Sequence, residues 1–112
     1  PKLEGVTRYA GELNMRESAA ILSQAVHFIG PDSLLMHMAN GLEIPSTIIF
    51  GGSRPVGCFG YEQNNNLINT PECSPCWIHE GYETCHHNLK CLSEITPAQI
   101  LSKFSRNLIN QP

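Results

Sequence analysis

The chain has 112 residues, 41% of them hydrophobic and 15% charged, which supports one domain around one modest core. Seven Lys and Arg against ten Asp and Glu leave a net charge of -3, without the basic run that a nucleic-acid partner requires. No apolar stretch approaches the roughly 18–20 residues that span a bilayer, and no charged-then-apolar leader follows Pro1. The expectation is a soluble, cytoplasmic protein. Nine Glu accompany a single aspartate, Asp32, so any mechanism built on a pair of aspartates is excluded.

The first element is a helix. Asn14 followed by Glu17 has the spacing of a capping box, and Ala19, Ala20, Leu22, Ala25 and Val26 fall behind it on one apolar face. His27-Phe28-Ile29 reads as a short buried strand that Gly30-Pro31 stops. Asp32 or Ser33 then caps a helix through Leu34, Leu35, Met36, Met38 and Ala39, with Gly41 as its C-terminal cap. Ser46 to Phe50 is β-branched and aromatic, a second buried strand. Strand, short helix and strand predict a parallel pair with a right-handed crossover. From Gly51 to Ser93 the sequence turns to Gly, Pro, Asn and Cys, and within it only Asn66 to Asn69 suggests a strand. A C-terminal helix follows, with Thr96 as N-cap, Pro97 at its first position and Gln99 closing a second box. Its apolar face is Ile100, Leu101, Phe104 and Leu108.

Two groups of residues have the types and spacing of a functional site. Asp32 and Ser33 stand where a strand meets a helix N-terminus, a place that favours phosphate or carboxylate. His37 shares a helical face with Ser33, and Arg54 lies in the loop after the next strand. The competing reading is that Asp32 and Ser33 only cap the helix while His37 packs against the sheet. The second group is Cys73-x2-Cys76-x8-Cys85-x5-Cys91. Four thiolates suit a structural zinc or iron, with His79, His86 and His87 as substitute ligands. Two disulfides, a redox pair and simple burial stay open beside it. Four cysteines would close the coordination sphere, so no catalytic metal is expected. Cys58 is the odd thiol.

Read in order, Ala10 to Ala20, Phe28-Ile29-Gly30-Pro31-Asp32-Ser33 with His37, Gly41 to Gly51, Cys73-Ser74-Pro75-Cys76 and Ile95-Thr96-Pro97 resemble the family-nine glycosyltransferases, the heptosyltransferase group. The likeness runs from about residue 10 to residue 104. It implies a partial Rossmann-like lobe: a short parallel sheet with flanking helices, a Cys-rich loop segment over 51–93, and a C-terminal helix. All of 1–112 would then be a single domain, the end of the nucleotide-sugar-binding C-terminal lobe of a two-lobe (GT-B), inverting, bacterial-type enzyme. The implied donor is ADP-heptose-like, for a lipopolysaccharide or protein acceptor. Asp32, Ser33 and His37 would lie at its diphosphate, and Arg54 could add charge.

In some relatives a cysteine cluster binds iron, to which Cys73, Cys76, Cys85 and Cys91 would correspond. Leu34 stands where the family has a glycine, and the acceptor lobe has no counterpart in these residues. A chain of this kind is expected to need that lobe, or another chain, for transfer, and to tend towards self-association. The alternative is a metal-stapled interaction module that reuses the half-lobe without a donor.

Overall fold

The computed structural model describes residues 2–53, 56–77 and 82–109, with residue 82 and residues 105–109 described in backbone only. The elements are α1 (Met15–Leu22), β1 (Phe28–Pro31), α2 (Leu34–Gly41), β2 (Ser46–Phe50), β3 (Asn65–Ile68), α3 (Lys90–Ser93) and α4 (Pro97–Ile109), with 3-10 turns at Val56–Cys58 and Tyr82–Thr84. The three strands form one parallel sheet in the order β1-β2-β3. This is the expected partial Rossmann-like α/β architecture. Among the described residues no helix is long and apolar enough to cross a membrane.

Pairing of Phe28 with Ser46 and of Ile48 with Asn66 places Phe28, Ile48, Phe50 and Ile68 on one face of the sheet. There they meet Met36 of α2, and Met36, Ile48 and Phe50 form the core, with Val56 and Tyr61 closing over it. Thr47 points to the other face, where His27 and Phe104 of α4 meet edge to face. Helices therefore cover both faces of the central strand.

Both expected capping boxes form. The Glu17 N–H donates to Asn14 Oδ1 at 2.9 Å and the Asn14 N–H to Glu17 Oε2 at 2.8 Å. In α4 the Thr96 N–H donates to Gln99 Oε1 at 2.7 Å, and the Gln99 N–H to Thr96 Oγ1 at 3.3 Å. Three expectations need correction. The first concerns α1, which stops at Leu22, its one buried residue, leaving Ala25 and Val26 beyond it. The Ser23 hydroxyl bonds back to the Ala20 carbonyl, and the chain tightens into three-residue turns at Gln24 and Ala25.

Second, β1 begins at Phe28 and runs through Gly30-Pro31, and it is half-exposed where burial was expected. It is an edge strand, where a proline without an N–H costs no ladder bond. Third, Gly41 is the last residue of α2, and the left-handed position falls on Glu43 at φ 58°. Ile44 N–H to Ala39 carbonyl and Glu43 N–H to Asn40 carbonyl complete a Schellman ending there. The segment after β2 is less irregular than its composition suggests, since it contains β3 and α3.

Candidate functional site

The turn from β1 into α2 holds two of the expected residues. Asp32 is exposed. Ser33 occupies the N-cap position of α2 with extended backbone (φ -158°, ψ 173°), yet its hydroxyl makes no capping hydrogen bond. Among the described residues the first turn of α2 is bonded by backbone, with the Met36 N–H reaching the Ser33 carbonyl at 3.1 Å. Leu34, the first residue of the helix, is 55% exposed at this rim. Because β1 and β2 are parallel neighbours, the Gly51-Gly52-Ser53 loop after β2 lies at the same end of the sheet. Arg54 lies outside the described residues.

His37, one turn into α2, does not pack against the sheet. It is exposed, and its Nδ1 stands 2.8 Å from the Tyr61 hydroxyl, with the two rings edge to face at 5.6 Å. A second link lies one turn further along: Gln63 Nε2 donates to Asn40 Oδ1 at 2.8 Å, while Asn40 Nδ2 donates to the Met36 carbonyl. The loop before β3 is thus fastened along α2. Sequence reasoning missed Tyr61 and Gln63, because a partner 24 residues from His37 leaves no periodic trace.

The cysteine segment folds back onto the loop after β2. Ser74 Oγ donates to the Gly52 carbonyl at 2.8 Å, the Cys76 N–H reaches the same oxygen at 3.3 Å, and the Trp77 N–H donates to the Ser53 carbonyl at 2.7 Å. A β-carbon on Gly52 would lie 2.9 Å from Cys91 Cβ and 2.9 Å from Ser74 Oγ. Only a glycine fits between the Cys-Ser-Pro-Cys turn and α3. All five cysteines are free thiols; Cys58 and Cys76 are exposed and Cys73, Cys85 and Cys91 half-buried. Among the described residues no three His, Cys, Asp or Glu side chains gather as a metal-holding group. His79 lies outside the described residues.

The sequence profile of glycosyltransferase family 9 (heptosyltransferase) matches residues 2–87. No curated protein and no solved structure gives a significant match. That profile covers most of the chain, including the β1–α2 turn, the loop after β2 and the Cys-Ser-Pro-Cys turn. The chain belongs to glycosyltransferase family 9.

Proposed function

We propose that this chain is the donor-binding part of an inverting glycosyltransferase and takes the diphosphate of an ADP-heptose-like donor at the N-terminus of α2. The observation that carries this reading is the Ser33 hydroxyl, which stands at the N-cap and is not used as a cap. Helix N-termini favour anions through their N–H groups and their dipole. Here that end opens at the carboxyl edge of a parallel sheet, where α/β folds place ligands. Ser33 and His37 donate to the phosphates, Asp32 lies at the turn, and Arg54 adds positive charge from the loop after β2. The helix end takes the part that a divalent metal plays in other sugar transferases. Leu34 keeps the backbone further from phosphate than a glycine would, so the donor binds weakly. Transfer itself needs an acceptor lobe, supplied by further sequence or by another chain.

The test is an amide-shift titration with ADP, and with UDP as control. Expected are shifts confined to 33–37 and 51–54 with a dissociation constant in the millimolar range, about -4 kcal/mol, weakened by Ser33→Ala and by His37→Ala. A folded sample without shifts would move the reading to an interaction module that binds no donor.

The cysteine segment acts as a staple in this reading, and a zinc or iron held by the Cys73, Cys76, Cys85 and Cys91 thiolates would strengthen it. The meeting of α3 with the Cys-Ser-Pro-Cys turn at Gly52 brings Cys91 to the loop that the turn grips, whereas the four thiols do not gather in this structure, so a metal would have to draw them together. Elemental analysis of the purified chain should give about one metal per chain, lost in Cys73→Ser and Cys91→Ser. A metal-free, fully folded wild type would overturn it.

A further inference from the structure

We infer that Tyr61 is a positioning residue for His37, fixing the imidazole in the tautomer that carries its proton on Nε2 and so presents an N–H to the donor phosphate. The phosphate part of this inference rests on the proposed function; the tautomer part stands alone. A phenol donates a hydrogen bond more readily than it accepts one, because its oxygen lone pair is shared with the ring. A neutral imidazole offers one nitrogen as acceptor and the other as donor. At 2.8 Å the Tyr61 hydroxyl therefore donates to Nδ1, which leaves the proton on Nε2. No other hydrogen bond engages the His37 ring among the described residues, so that N–H is available to a ligand.

Tyr61 is itself held from three sides. Its ring packs against the Met36, Ile48 and Phe50 cluster. Its carbonyl accepts from Asn66 Nδ2 at 3.0 Å and from the Asn64 N–H at 3.1 Å. Asn66 uses its amide this way while its own Oδ1 stays buried without a partner among the described residues, a desolvation cost that the arrangement accepts. The loop keeps this carbonyl clamped at that expense. The hydroxyl thus meets His37 from a fixed direction, and it holds an exposed ring in one orientation.

The experiment is nitrogen-15 spectroscopy of the His37 ring in the ligand-free protein, assigned with His37→Gln, followed by ADP titration of wild type and Tyr61→Phe. The Phe variant keeps the ring against the core and removes only the hydroxyl. Expected are an unprotonated Nδ1 in wild type, a downfield Nδ1 shift in Tyr61→Phe as its hydrogen bond is lost, and ADP affinity reduced about 3–10-fold with an unchanged melting temperature. A protonated Nδ1 in wild type, or an Nδ1 resonance indifferent to Tyr61→Phe, would overturn the inference. Unaltered ADP affinity in the variant would overturn its phosphate part. If wild type binds no ADP, donor binding fails while the ring spectra still decide the tautomer, and an unfolded Phe variant leaves that decision to the wild-type spectrum.

Discussion

His27 shows how one side chain can join two layers. Its Nε2 stands 2.9 Å from Oγ1 of Thr47, a fully buried residue of β2, and its ring meets Phe104 of α4 at 5.1 Å. Burial holds its pKa below the ordinary 6.5, since the charged ring would give up water here. The unfolded chain therefore binds more protons than the folded one across this range, and stability rises with pH. The His27 contribution is full above about pH 6.5 and diminishes as pH falls through that value towards the lowered native one. Thermal melts should show a lower midpoint at acid pH, with that part of the slope absent in His27→Gln. An equal slope in the variant would place the acid sensitivity elsewhere.

At the scale of elements, Gly52 is the tightest junction between the cysteine segment and the sheet. Alanine there would press against Cys91 Cβ at 2.9 Å and Ser74 Cβ at 3.2 Å, neither of them the end of a flexible side chain. Gly52→Ala should lower the unfolding free energy in urea by about 1–3 kcal/mol; an unchanged midpoint would show that α3 does not rest on this loop. Local signals were legible in the sequence where both partners lie within one turn. The Asn14–Glu17 and Thr96–Gln99 boxes are of this kind, and β2 declared itself through its β-branched run. Glu43 in the left-handed position was not legible, because the nearby Gly41 offered the conventional stop two residues early. The candidate site was half legible: the β1–α2 turn followed from chain pattern, whereas Tyr61 reaches His37 only through the return of the loop.

On the scale of the whole molecule, the sheet is open along β1 among the described residues. Val26 and Ile29 are exposed beside it, 55% and 43% respectively, and an unpaired strand edge with apolar neighbours invites pairing with another chain. Sedimentation velocity of this chain alone should give an average mass that rises with concentration, suppressed by Ile29→Lys, which sets a charge on the edge. A constant monomer mass across the micromolar range would count against it. The loop between β2 and β3 has a different role. The cysteine turn grips it at Gly52, and His37 and Asn66 hold it at Tyr61. A segment pinned at two places has already lost most of its conformational freedom when the chain folds. The described part of the α2 rim is in that sense preorganised, and the donor proposed for it would meet Ser33 and His37 already held, with less ordering left for binding to bring about.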